Sequence, residues 1–124
     1  DLPEAWNERY KNDLGIVPAS DSEGAMQDVH WYVGTIGGMF QGYTLGNLMS
    51  AQFYETAVKT HPEIPVEIEH GNFTVLHDWL KQNIYQHGRK YTAVELVDRV
   101  TGSPLTIGPF VRYIRHKYGE FYVL

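Results

Sequence analysis

A chain of 124 residues that is 43% hydrophobic can bury one domain-sized core, and we read residues 1–124 as a single helical domain. Its net charge is −5, with basic residues scattered except for Arg112, Arg115, His116 and Lys117; this excludes nucleic acid as the main partner, because phosphates call for a concentrated positive face. The absence of cysteine excludes disulfides and thiolate chemistry and fits a cytoplasmic protein, while no apolar run approaches membrane-spanning length and no signal peptide is visible.

Five to six helices are legible in chain order, with no strand pair. The first spans 3–14: Asp1 stands three residues ahead of Glu4 as a capping box, Pro3 suits the first turn, and Gly15 is a stop. Trp6, Tyr10 and Leu14 share one face of it. Residues 15–42 read as mostly irregular, with a polar turn around Pro18, Ser20, Asp21 and Ser22 and a short helix expected over 23–30. Gly34, Gly37, Gly38 and Gly42 then interrupt an aromatic-rich run, where backbone can approach backbone or a ligand.

The clearest helix is 43–60. Leu45, Leu48, Met49, Gln52, Phe53 and Thr56 recur at helical spacing, and small Gly46, Ser50 and Ala51 let another helix come close. His61-Pro62 ends it. A turn of helix is expected over 66–70, closed by Gly71. The helix over 73–87 puts Phe73, Leu76, Leu80 and Ile84 on one face and stops at Gly88. Thr92 and Glu95 form a capping box for a helix that Gly102 closes. The last helix starts near Pro109 and stops at Gly119, with the basic cluster near its end, where cations are favoured. Short connections between the later helices point to an all-α bundle or array.

The densest chemistry lies at Gln27, Asp28, His30 and Trp31, an amide, a carboxylate, an imidazole and an indole in close succession. Such groups are costly to bury unpaired, so they serve either a cleft or a polar knot that fixes the turn, and spacing alone leaves both readings open. If the backbone is helical there, Asp28 does not meet the His30 ring, because i and i+2 do not face each other. His61, His70, His77, His87 and His116 read as surface or capping residues, and no set of metal ligands converges in the chain. The run from Gly37 to Tyr43 feeds a helix start but lacks the residues of a phosphate loop. It fits a turn that presents the Tyr43 hydroxyl beside a ligand, or simply aromatic core. Glu67 and Glu69 read as solvated, and Ser20 and Ser22 have no nucleophile elbow around them. No His-Glu-x-x-His occurs, so the chain reads as one wall of an active site without the catalytic centre.

Gly24-Ala25-Met26-Gln27-Asp28-Val29-His30-Trp31 matches the signature Gly-x-x-Gln-Asp-x-His-Trp, and in this the chain resembles the carboxypeptidase Taq family of zinc metallocarboxypeptidases. Leu2-Pro3-Glu4-Ala5-Trp6-Asn7, Tyr43-Thr44-Leu45-Gly46-Asn47-Leu48 with Ala51-Gln52, His87-Gly88-Arg89 with Tyr91-Thr92, Thr101-Gly102-Ser103-Pro104-Leu105, and Tyr113 with Lys117-Tyr118-Gly119 are similar to segments of that family in the same order. The resemblance implies an all-α fold of which this chain is a C-terminal piece. It implies removal of C-terminal residues from peptides by zinc held upstream of Asp1, none of it bound by this piece alone. It also implies the missing N-terminal portion and a peptide substrate as partners, and admits a homodimer. Tyr43 becomes a catalytic residue that stabilises the tetrahedral oxyanion. His30 faces the substrate side, Gln27 and Asp28 hold the loop and orient neighbours, and Trp31 completes the substrate-binding signature.

Many relatives carry Pro-Thr where this chain has Gln41-Gly42, so a more flexible turn is expected ahead of Tyr43. The rival reading is a stand-alone helical module that binds peptides or a partner protein without catalysis; the missing metal motif is its support.

Overall fold

In the computed structural model, residues 1–34 and 38–122 are described, and all the regular structure among them is helical. The described helices are α1 (Leu2–Leu14), α2 (Phe40–Thr60), α3 (Ile64–Glu69), α4 (Thr74–Asn83), α5 (Ala93–Thr101) and α6 (Gly108–Tyr122). Short 3-10 turns lie at Val29–Trp31 and Tyr85–His87. The chain groups into two compact units, Asp1–Tyr43 and a second beginning at Thr44.

In the first unit, the polar punctuation of the sequence acts as expected. The Glu4 N–H donates to Asp1 Oδ1 at 3.0 Å, and Gly15 closes α1 in the left-handed region at φ 71° with its N–H on the Lys11 carbonyl. The helix expected over 23–30 does not form. The Asp21 carbonyl accepts from both Gly24 and Met26, and Gln27 donates to the Gly24 carbonyl, so successive turns replace a helical ladder. Gly24 is buried, and a Cβ there would stand 3.0 Å from Pro18, so these turns are folded closely onto Pro18. Trp6 of α1 stacks on Tyr10 at 5.0 Å and on Trp31 at 5.9 Å, which ties the signature segment to α1.

In the second unit, Ala57 of α2, Ile64 of α3 and Trp79 of α4 form a buried core, walled by half-buried Phe53, Ile68, Leu76, Leu80 and Ile84. The fully apolar face read from the sequence missed Trp79, which is the buried residue of α4, while Phe73 is exposed. Helix α4 ends at Asn83, earlier than expected, because Ile84 leaves helical geometry (ψ −62°, φ −124°) and a 3-10 turn carries the chain to Gly88. Helix α3 begins at Ile64, two residues before the expected turn of helix, with Pro65 in its first turn. Helix α5 carries the expected capping box: Thr92 N–H donates to Glu95 at 2.8 Å and Glu95 N–H to Thr92 Oγ1 at 3.3 Å. The Thr92 backbone N–H, then the Thr92 hydroxyl, which also donates to Glu95 Oε2 at 2.8 Å, hold the Glu95 carboxyl below its ordinary range.

Gln52 locks α2 to the segment between α5 and α6. It is only 4% exposed; its amide donates to Thr101 Oγ1, Ser103 Oγ and the Pro104 carbonyl at 3.0–3.1 Å, and its carbonyl accepts from Thr106 N–H at 3.0 Å. Helix α6 runs through Gly119 to Tyr122 instead of stopping there. A single interior glycine costs a helix only about 1 kcal/mol, and Tyr118 and Tyr122 pair one turn apart across it at 6.3 Å.

Candidate functional site

The signature residues are positioned by one backbone choice. Asp28 adopts an extended conformation (φ −105°, ψ 114°) and caps the 3-10 turn, its Oδ1 accepting from the His30 N–H at 2.9 Å. Because the backbone is not helical here, the i, i+2 objection falls away. The same Oδ1 lies 2.7 Å from His30 Nδ1, so carboxylate and ring meet directly. The backbone N–H of His30, then its ring, keep the Asp28 carboxyl below the usual carboxylate range.

The second positioning element is Gly38, buried at φ 70°. A Cβ there would fall 2.4 Å from the His30 carbonyl oxygen and 2.5 Å from the Trp31 carbonyl group. Only glycine allows the chain leading into α2 to press this closely on the signature turn, where Met39 N–H reaches the His30 carbonyl at 2.5 Å. Gln41 and Gly42, expected as a flexible turn, are instead the first turn of α2. The Gln41 side-chain amide donates to the Gly38 carbonyl at 2.6 Å, which braces the helix entrance in the place of a proline. Gly37 lies outside the described residues.

Helix α2 therefore starts at Phe40, three residues earlier than read from the sequence, and Phe40 and Tyr43 share a face of it. Both flank the His30 ring. Phe40 stacks on it at 5.6 Å, Tyr43 meets it edge-on at 5.7 Å, and the Tyr43 hydroxyl lies 3.3 Å from His30 Nε2. Asp28, His30, Phe40 and Tyr43 line a shallow pocket of about 350 Å³. Asp28, His30 and Tyr43 thus come together. Trp31 is instead half-buried in the stack with Trp6, and Gln27 sits exposed in the turn before Asp28. The sequence marks Phe40 and Gly38 only as members of the run from Gly37 to Tyr43. Their signal was present, since Phe40 precedes Tyr43 by one helical step, but it needed the correct start of α2.

The chemistry follows from the hydrogen-bond order. With a neutral ring, Nδ1–H donates to Asp28 and Nε2 is left as an acceptor for the Tyr43 hydroxyl. With a protonated ring, Nε2–H donates to the Tyr43 oxygen, and the phenol O–H is free to turn and donate into the pocket. The line Asp28–His30–Tyr43 can therefore present a hydroxyl donor to an oxygen carrying developing negative charge. Among the described residues, no group of three His, Cys, Asp or Glu gathers to hold a metal ion.

The profile of the carboxypeptidase Taq (M32) metallopeptidase family matches residues 1–118. Thermostable carboxypeptidase 1 of Thermus thermophilus is 40% identical over 98% of this chain and 24% of its own length. Carboxypeptidase 1 of Bacillus subtilis is 35% identical over 100% of this chain and 25% of its own. The crystal structure of an M32 carboxypeptidase from Deinococcus radiodurans R1 matches all of this chain and 25% of its own, at 50% identity and a TM-score of 0.82. The chain thus spans about a quarter of the length of the relatives it matches.

Proposed function

Since this chain belongs to the carboxypeptidase Taq (M32) metallopeptidase family, we propose that it is the substrate-side wall, in the C-terminal region, of a zinc-dependent enzyme that removes C-terminal residues from peptides. The observation that carries this reading is the Asp28–His30–Tyr43 line beside a pocket, on a chain whose relatives are carboxypeptidases four times its length. The described residues do not fit a zinc site, so the zinc belongs to other residues of the intact enzyme, and this chain contributes through its own side chains. When bound, zinc supplies Lewis-acid chemistry.

In this reading Tyr43 donates its hydroxyl proton in a hydrogen bond to the scissile carbonyl oxygen as negative charge builds there. His30 binds on the substrate side and sets the direction of that proton through Nε2. Asp28 holds the His30 ring, Gln27 supports the turn ahead of it, and Trp31 anchors the segment against Trp6. The partners are a peptide and the rest of the same polypeptide, with a second copy in a homodimer. The setting is cytoplasmic; among the described helices none is long and apolar enough to cross a membrane.

The test is made in the intact enzyme. His30→Ala and Tyr43→Phe should each lower kcat on a peptide substrate while zinc content, read by atomic emission, stays at the wild-type level. Loss of zinc in either variant would assign that residue to the metal instead, and unchanged kcat in both would make the line structural.

A further inference from the structure

The entrance to α2 is held by a side chain to which the substrate-side reading gives no task. Residues 38 and 39 press on the signature turn: a Cβ at Gly38 would fall 2.4 Å from the His30 carbonyl oxygen, and Met39 N–H reaches that same oxygen. Phe40 and Tyr43, one helical step further on, flank the His30 ring. The joint between residues 38–39 and the first turn of α2 therefore decides where both rings stand. Two hydrogen bonds cross it. Gly42 N–H donates to the Met39 carbonyl at 3.0 Å, and the Gln41 side-chain amide donates to the Gly38 carbonyl at 2.6 Å.

The backbone by itself stiffens this joint weakly. The first N–H groups of a helix have no partner in a preceding turn, and Gly42 adds the freedom of a residue without a side chain. Elsewhere in the chain the corresponding place is stiffened by proline: Pro3, Pro65 and Pro109 are the second residues of α1, α3 and α6. Gln41 holds that second place in α2. A residue there gives up nothing by leaving its backbone N–H unpaired, so what glutamine adds is the side-chain tie to Gly38. The contact that the tie protects is a delicate one, since the Tyr43 hydroxyl meets His30 Nε2 at 3.3 Å in an exposed setting.

We infer that Gln41 is a positioning residue: by tying the first turn of α2 to the Gly38 carbonyl it holds the Tyr43 hydroxyl on His30, an inference that rests on the reading of Tyr43 as the donor to the scissile carbonyl oxygen. Gln41 acts through Gly38 and the turn that carries Tyr43, not by contact with the reacting atoms. The test compares Gln41→Ala, Gln41→Glu and Gln41→Pro in the intact enzyme, with Tyr43→Phe beside them. Glutamate keeps the length and favours a helix N-terminus, but its carboxylate has no proton to give the Gly38 carbonyl. Proline has no side-chain donor but stiffens the turn through its ring. Two quantities are read: kcat and KM on a peptide, and the rate at which diethyl pyrocarbonate modifies the His30 ring, localised by mass spectrometry. Gln41→Ala and Gln41→Glu should each lower kcat about 3- to 10-fold with little change in KM, and His30 should be modified faster by about the same factor, the size of one hydrogen bond's effect on an equilibrium. Gln41→Pro should return both quantities to within about twofold of wild type.

Wild-type values in Gln41→Glu would overturn the inference, because glutamate supplies any general helix-stabilising role. So would wild-type modification of His30 in Gln41→Ala. A folded Gln41→Pro that behaves as Gln41→Ala does would also overturn it and make the amide itself a substrate contact; if Gln41→Pro does not fold, the alanine and glutamate variants decide. Faster modification of His30 with wild-type kcat in the Gln41 variants and in Tyr43→Phe alike would leave the positioning intact and remove the catalytic reading of Tyr43. A slow Tyr43→Phe beside Gln41 variants that match wild type in both quantities would do the reverse.

Discussion

Gly38→Ala is the most searching perturbation, because two separate penalties can be worked from the geometry and then measured apart. Gly38 sits at φ 70°, where an L-residue costs about 1–2 kcal/mol. Its new Cβ would stand 2.4–2.5 Å from the His30 and Trp31 carbonyl groups. Ordinary carbon contacts begin near ~3.5 Å, so the signature turn must retreat by about 1 Å. Forcing such a shift in a packed site costs about a further 1–3 kcal/mol. Gly15→Ala is the internal control. Gly15 has φ 71°, but a Cβ there meets nothing within 4 Å, so it carries the conformational penalty alone. The difference between the two variants in denaturant unfolding of the intact enzyme should therefore be about 1–3 kcal/mol. Function should separate them further. The His30–Tyr43 hydrogen bond is already 3.3 Å long, and a retreat of the His30 backbone breaks it. A misplacement near 1 Å costs about 100-fold in rate. Gly38→Ala should thus lose about two decades of kcat while Gly15→Ala keeps it. Equal stability and equal kcat in the two variants would refute the claim that Gly38 sets the site.

Three further outcomes follow from the same geometry. Asp28→Asn should remove a stabilising contribution that operates above the ordinary aspartate pKa, because the folded-state pKa is lowered. In the wild type that contribution is lost as pH falls through the depressed folded value, so stability measured from about pH 6 down to about pH 2 should fall more steeply in the wild type than in the variant, which keeps only the contributions of its other carboxylates such as Glu55 and Glu95. Gln52→Leu removes the side-chain partners of the Thr106 N–H and the Pro104 carbonyl and should cost about 1–3 kcal/mol in chemical denaturation, whereas an effect below about 0.5 kcal/mol would show the latch to be dispensable. Thr92→Ala removes the cap of α5 and should cost about 1 kcal/mol in the same assay, with no change in kcat.

Local chemistry wrote much of this protein directly into its sequence. The capping boxes at Asp1–Glu4 and Thr92–Glu95, and the glycine stops at Gly15 and Gly102, involve partners within four residues, so the chain specifies them wherever it is placed. The same holds for the helical periodicity of α2 and for the all-α class. The polar density at Gln27–Trp31 beside aromatics marked the neighbourhood in which Asp28, His30 and Tyr43 come together, because such groups are costly to leave unpaired.

Tertiary structure decided the rest. Whether Asp28 meets His30 depends on an extended residue that i, i+2 reasoning on a helix excludes, and whether His30 meets Tyr43 depends on a close backbone approach at Gly38. Trp79 rather than Phe73 is buried because neighbours from α2 and α3 cover that side of α4. Gln52 reads as one polar member of an apolar stripe, yet its partners lie about fifty residues away. Periodicity reports which side of a helix is buried, but only the packed chain supplies the distant donor, carbonyl or ring that gives a buried polar group its role.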